Sequence, residues 1–141
     1  MDPPGGIQPV AADEILYRRI PKAWYNPADG LSNESFLPSA QDIDGLSLSR
    51  EKVGAIGTSA TGWEGKEYYV ASIRAADLPV GLTPQPDTDE HLVLPQMTFE
   101  ARKHPSTKGQ IRAWAEQMRS HCAGRVKGPF PGRTPQPVDR A

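Results

Sequence analysis

Proline and glycine interrupt this chain at short intervals, with 15 prolines and 13 glycines among 141 residues. Proline removes a backbone donor and glycine raises chain entropy, so neither supports a helix or strand where they cluster. They cluster at both ends, in residues 1–13 and 125–141, where few apolar side chains are available for burial. We therefore expect disordered termini around a single folded domain of residues 14–124.

Several segments of this domain carry the apolar patterns of strands. The strongest is Glu67–Arg74, EYYVASIR, which is rich in aromatic and β-branched residues. Four shorter segments have a similar character: residues 15–20, 46–49, 91–94 and 97–102. Pro21 follows the first of them and cannot donate to a ladder, which favours an edge position for that strand. Residues 54–65 are rich in glycine and small polar residues, and predict a flexible connection.

One helix follows these strands in the sequence. Its apolar residues recur at helical spacing and form one stripe: Ile111, Trp114, Ala115, Met118 and Cys122. Ser106 or Thr107 can cap its start, and Gly124 is a typical stop. The chain is therefore expected to adopt an α+β fold, in which a small, mostly antiparallel sheet packs against one C-terminal helix.

Cysteine content and hydropathy indicate where such a protein resides. The single cysteine, Cys122, cannot form an internal disulfide, as expected in a reducing compartment. No window reaches the roughly 18 consecutive apolar residues of a membrane span. We expect a cytoplasmic protein without membrane contact.

Charge is distributed unevenly along the chain. Residues 1–100 carry a net charge of −8, whereas residues 101–141 carry +7. The basic end either folds back on the acidic body or binds a partner, which would be another protein, an acidic one fitting best, or nucleic acid. The candidate partner-binding residues are Arg112, Arg119, Arg125 and Lys127.

His91 is the titratable residue with the most promising neighbours, because it follows Asp87, Asp89 and Glu90. A carboxylate beside it could hold the imidazole as an acid–base group, and the alternative is a hydrogen-bonded histidine at a strand end.

Other catalytic and metal-binding patterns are missing from the sequence. It has no phosphate-binding glycine loop and no G-x-S-x-G motif. The serines at 32, 35, 47 and 49 have no evident base, which favours turn and capping roles for them. One cysteine and three scattered histidines do not have the spacing of a structural zinc site, and no metal ligands are assigned.

Short motifs link the chain to a family. The stretch LYRRIP at Leu16–Pro21, the later LSLS at Leu46–Ser49 and the strand beginning at His91 resemble a family of small, uncharacterised bacterial proteins. The resemblance runs from Leu16 to about Leu94. That family has no settled activity, so the resemblance implies no mechanism.

The Tyr17-Arg18 strand is also similar to the first strand of compact ADP-ribosyltransferase-like domains, including the RES type. This resemblance implies a site for NAD. Arg18 and Ser47 would contact the nucleotide, with Tyr17 and His91 around the same cleft, and Glu100 would be the catalytic acid.

Three functions follow in order of preference. The first is a non-catalytic interaction or accessory protein without a cofactor, a small subunit of a larger bacterial assembly. The alternative is an NAD-handling domain of the ADP-ribosyltransferase-like type. The second alternative is nucleic-acid binding through the basic C-terminal segment.

Overall fold

The computed structural model describes residues 7–50, 67–89 and 91–131. Its strands are β1 Ile15–Pro21, β2 Tyr25–Asn26, β3 Gly30–Leu31, β4 Leu46–Ser49, β5 Glu67–Arg74, β6 Gln85–Pro86, β7 His91–Leu94 and β8 Val126–Pro131. The α-helices are α1 Phe99–Lys103 and α2 Lys108–His121, and short 3-10 turns occupy Lys22–Trp24, Asn33–Phe36 and Ala75–Asp77. The flexible connection predicted at 54–65 lies outside the described residues.

Six of the strands form one antiparallel sheet in the order β6-β7-β4-β1-β5-β8, and β2 with β3 forms a separate hairpin. The expected α+β fold is confirmed. The edge position expected for β1 is wrong, because β1 lies between β4 and β5. Pro21 is tolerated there because it is the last residue of the strand, where one missing donor interrupts little of the ladder.

The core lies between one face of this sheet and α2. In the β1–β5 register Leu16 pairs with Ile73 and Ile20 with Tyr69, so these side chains share the inward face. Leu46 and Leu48 of β4 are fully buried on the same side, as their alternation predicted. The helix adds Ile111, Ala115, Met118 and Cys122, which are all buried. Four members of the predicted stripe are thus confirmed as core, whereas the fifth, Trp114, is only partly buried against it.

The prediction of a strand at residues 97–102 is wrong. They contain the start of α1, because the Thr98 hydroxyl accepts a hydrogen bond from the Ala101 amide at 3.0 Å and caps the first turn. The cap predicted for α2 differs as well. Thr107 stands at the N-cap position, but its hydroxyl donates to the Ala101 carbonyl at 2.6 Å and leaves the amides of α2 without a side-chain cap.

The ordered region extends beyond residues 14–124 at both ends. Gln8 and Ala12 accept hydrogen bonds from Arg50 and from the Ala76 amide, which holds the segment before β1 against the sheet. Residues 126–131, expected to be disordered, form β8 beside β5. Gly128 and Pro129 stand opposite a single residue of β5, so the proline lies in a bulge where its missing donor needs no ladder partner.

The second face of the sheet carries polar and aromatic side chains from three neighbouring strands. Strand alternation places Tyr17 of β1, Ser49 of β4 and His91 of β7 on this face, opposite to the core. We call it the outer face. Neither helix of the described residues has the length and apolar character that crossing a bilayer requires.

Candidate functional site: a cleft between two separated strands

A cleft opens where β1 and β4 part, lined by Tyr17 and Ser49 from the outer face and by Arg18 and Leu48 from inward-facing positions. The two strands pair at a single position, Tyr17 opposite Ser49. Because the ladder stops there, a hollow of about 620 Å³ forms beside the unpaired part of β4. We call it the Arg18 cleft, and its polar lining includes Tyr17, Arg18, Asp42, Ser47, Ser49 and His91.

Arg18 fills the gap between the separated strands. Its Nε donates to the Ser35 carbonyl and its Nη1 to the Ser47 carbonyl, both at 3.0 Å. Desolvation by burial lowers the pKa of Arg18 to about 10, while the nearby Asp42 acts in the opposite direction. The guanidinium therefore keeps its charge at neutral pH. Its second terminal nitrogen, Nη2, has no hydrogen-bond partner within the described residues and can donate to a ligand.

Asp42 supplies a fixed negative charge on the cleft wall. It is buried, and its Oδ2 accepts hydrogen bonds from the Ser39 amide at 2.7 Å and the Ser39 hydroxyl at 3.2 Å. Its backbone carbonyl accepts from the Phe99 amide at 3.1 Å, which ties the wall to the start of α1. The loop beside Arg18 is therefore held at both its side chain and its backbone.

His91 stands at one end of the cleft, on β7. Its Nδ1 lies 2.7 Å and 2.9 Å from the two carboxylate oxygens of Asp87. A carboxylate only accepts, so Nδ1 carries a proton, and the tautomer that this contact selects has its lone pair on Nε2. The carboxylate beside His91 is thus Asp87, and this contact fits both the acid–base role and the alternative of a hydrogen-bonded histidine at a strand end.

Four of the five residues proposed for an NAD site lie together in this cleft: Tyr17, Arg18, Ser47 and His91. Glu100 does not line it. Glu100 lies on α1 with an exposed side chain, and its Oε2 is 3.8 Å from Lys103 Nζ. Asp42 and Ser49 are lining residues that sequence reasoning did not assign to the site. Only the strand register could have found Ser49, because nothing in its local sequence marks it.

The predicted partner-binding residues do not form one patch. Arg125 and Lys127 line a second hollow on the outer face, of about 730 Å³, together with Arg74, Asp77, Ile15 and Val70. We call it the basic hollow.

The other two predicted partner-binding residues, Arg112 and Arg119, are on α2. Arg119 is paired with Glu116, and this hydrogen bond raises the pKa of Arg119 and lowers that of Glu116. Nucleic-acid binding through the basic C-terminal segment stays a prediction. One of the basic residues in this segment, Arg119, is paired with Glu116.

Within the described ranges, no group of three His, Cys, Asp or Glu side chains is placed to hold a metal ion. Comparison of the chain with protein-family models, with curated proteins and with solved structures finds no match. The two family resemblances therefore stay predictions, and the functional argument rests on the cleft itself.

Proposed function

We propose that this protein binds a small anionic ligand of the nucleotide class in the Arg18 cleft. The observation that carries the proposal is the convergence of Arg18, Ser47 and His91, from three different strands, on one hollow of about 620 Å³. Ligand sites are typically hollows of about 300–1,000 Å³ with a few convergent polar groups. The cleft meets both criteria.

The lining of the cleft carries two arginines, Arg18 and Arg19, against one acid, Asp42, and this balance favours an anionic ligand. Arg18 is anchored by two backbone carbonyls, so its remaining donors are directed without further loss of side-chain entropy. A phosphate or carboxylate that accepts from Nη2 would form a charge-assisted hydrogen bond in a partly desolvated site, where such bonds are strong. An anionic group is therefore the best ligand for this position.

The remaining lining suits the rest of a nucleotide. Ser47 and Ser49 offer hydroxyls that can bond a sugar, and the rings of Tyr17 and Trp24 offer flat apolar surface for a base. NAD is the first candidate because it contains all these parts. Because Glu100 lies outside the cleft, the proposal is binding and does not include transfer of ADP-ribose.

Calorimetric titration with NAD and with AMP tests this proposal. We expect one site per chain. Arg18→Lys keeps the charge but loses the fork, and should weaken binding about tenfold or more, since hydrogen bonds between charged groups are worth about 1.5–3 kcal/mol. Ser47→Ala keeps the carbonyl that Arg18 needs and should weaken binding about fivefold to tenfold.

Arg112→Lys and Ser120→Ala on the exposed surface of α2 are the matched controls and should bind as the unmodified protein does. Thermal unfolding of each variant shows that it is folded at the titration temperature. The proposal fails if neither nucleotide gives heat at millimolar concentration, or if the affinity is the same in the cleft variants and the controls.

A second candidate function is the interaction role, in which the protein is an accessory subunit of a larger assembly. The basic hollow favours it, because Ile15 is 40% exposed on a surface bordered by Arg125 and Lys127. The lining has three cationic residues, Arg74, Arg125 and Lys127, against one acid, Asp77, so its charge fits an acidic protein segment that carries one or two apolar side chains.

Co-purification from the native host at physiological salt tests the second candidate. The double variant Arg125→Glu/Lys127→Glu should lose a partner that the unmodified protein retains, whereas Lys108→Glu, at an exposed position outside the basic hollow, should keep it. An unmodified protein that emerges alone contradicts the interaction role, as does a partner retained equally by both variants.

A further inference from the structure

The outer face also brings together a serine, a histidine and an aspartate in the order that nucleophilic catalysis uses. We propose that Ser49, His91 and Asp87 form a nucleophile, a general base and an orienting carboxylate that hydrolyse a small carboxylic ester carrying an anionic group. This proposal rests on the proposed function only for how the anionic part of the substrate is held.

The strand register places the nucleophile beside its base. Ser49 is the last residue of β4 and His91 the first of β7, and they are direct partners in the antiparallel pair. Directly opposed residues have Cβ atoms about 4.5–5.5 Å apart, so the Ser49 and His91 side chains are neighbours across the two strands. Both side chains line the Arg18 cleft and are partly exposed, which leaves room for a substrate.

Asp87 fixes the state in which the histidine can act. Both its carboxylate oxygens lie within 2.9 Å of Nδ1, so Nε2 is the nitrogen left to accept a proton. The backbone holds the same pair, because the Asp87 amide donates to the His91 carbonyl at 3.2 Å. The carboxylate therefore orients the ring as the third member of a catalytic triad does.

The step balances with water as the only other reactant. The Ser49 hydroxyl attacks the ester carbonyl while His91 Nε2 takes its proton, and an acyl–serine bond forms as the alcohol leaves with that proton. Water, activated by the same nitrogen, then cleaves the acyl–serine and releases the carboxylic acid. Arg18, which lines the same cleft, supplies a positive charge for the oxyanion or for the substrate's anionic group.

Sequence reasoning gave Ser49 a turn or capping role because no base was evident near it in the chain. The base comes from 42 residues further on through the β4–β7 pairing. The alternative role for Asp87 and His91 is to stabilise the turn between β6 and β7, and that role requires no contribution from Ser49. Reactivity of Ser49 therefore separates the two roles.

Covalent labelling tests the triad. A fluorescent fluorophosphonate and diisopropyl fluorophosphate should modify one serine, which peptide mass spectrometry should identify as Ser49. Ser49→Ala should abolish labelling. His91→Gln should slow it about 100-fold or more, as expected for loss of a general base, and Asp87→Asn should slow it by a smaller factor. The rate at which the variants hydrolyse 4-nitrophenyl hydrogen succinate should fall in the same order as their rate of labelling.

Ser120→Ala, His121→Gln and Asp29→Asn are exposed counterparts away from the cleft and should label as the unmodified protein does. Absence of labelling by both reagents, or labelling that persists in Ser49→Ala, overturns the triad. Failure of the proposed function looks different, because loss of NAD and AMP binding leaves serine labelling untouched. Labelling that fails while nucleotides still bind refutes the triad alone.

Discussion

Replacing Glu14 with glutamine should destabilise the protein strongly, because Glu14 neutralises a buried arginine. The Arg50 side chain is 5% exposed and that of Glu14 is 20% exposed, with Nε–Oε2 and Nη2–Oε1 distances of 2.9 Å and 3.0 Å. Arg50 also donates to the carbonyls of Gln8 and Pro9, so it holds the segment before β1 against the sheet. Glutamine keeps the shape of the pair and removes its negative charge.

The size of the loss follows from the burial. Breaking a buried ion pair by removing one partner costs about 3–5 kcal/mol. The backbone carbonyls that remain around Arg50, and the partial exposure of Glu14, reduce this to about 2–3 kcal/mol. For a domain of this length we expect the melting temperature to fall by about 8–12 °C.

Urea unfolding followed by circular dichroism measures this loss. Glu67→Gln is the matched control, because Glu67 forms an ion pair of 2.8 Å with Lys22 in which the side chains are 43% and 62% exposed. Exposed pairs contribute about 0–1 kcal/mol, and salt reduces that contribution further. Equal destabilisation by the two substitutions would refute the burial argument, as would a loss below 1 kcal/mol for Glu14→Gln.

Gly45→Ala should destabilise by several kcal/mol in urea unfolding, because its φ of +138° disfavours a side chain and a Cβ there would overlap the Leu94 carbonyl oxygen. Gly109→Ala, whose Cβ would meet nothing within 4 Å, should stabilise by up to about 1 kcal/mol. Burial raises the pKa of the Cys122 thiol to about 12, so a thiol reagent should modify it only in urea. The thiol of the unfolded chain ionises at a lower pH than the buried thiol of the folded protein, so the stability that Cys122 contributes is lost as pH rises from about 9 to 12. The variant Cys122→Ala should show a smaller decline in the free energy of unfolding over this pH range. Met118→Ala should cost about 2–5 kcal/mol, since Met118 is fully buried, and a cost below 1 kcal/mol would contradict its place in the core.

Local patterns predicted the elements whose side chains meet one face of the core. The alternation of Leu46 and Leu48 gave β4, and the stripe from Ile111 to Cys122 gave α2, because both patterns record burial directly. The aromatic and β-branched run of β5 was recognised for the same reason. Elements that bury a continuous apolar face are the ones that a single sequence reveals.

The helix α1 and the strand β8 were not predicted, because neither arises from an apolar pattern in the local sequence. In residues 97–102 the alternation of Met97, Phe99 and Ala101 fits a strand. The segment instead begins a helix, in which the Thr98 hydroxyl accepts a hydrogen bond from the Ala101 amide and caps the first turn. The strand β8 has no periodic pattern, and it exists because β5 has an edge to pair with. Pairing between distant segments is a property of the fold, and local sequence does not encode it.

The residues of the Arg18 cleft also divide into those that local sequence identifies and those that only the fold brings to the site. Tyr17, Arg18, Ser47 and His91 were singled out from their residue types and a distant resemblance, whereas Ser49 and Asp42 enter only through register and loop packing. The Asp87–His91 pair could be expected, since the two residues are four apart across a tight turn. What local sequence could not predict is that strand pairing places His91 directly opposite Ser49 of β4.

Arg18 shows why the inward face of β1 is not uniformly apolar. It stands between Leu16 and Ile20, at a position whose register faces the core. An apolar residue there would bury more hydrocarbon, but it would leave the carbonyls of Ser35 and Ser47 without donors, at about 1–3 kcal/mol each. The separation of β1 from β4 therefore requires a long side chain with several donors, and arginine meets that requirement with one nitrogen to spare. The same residue that closes the gap between the strands supplies the cleft with its charge, so structure and proposed function depend on one side chain.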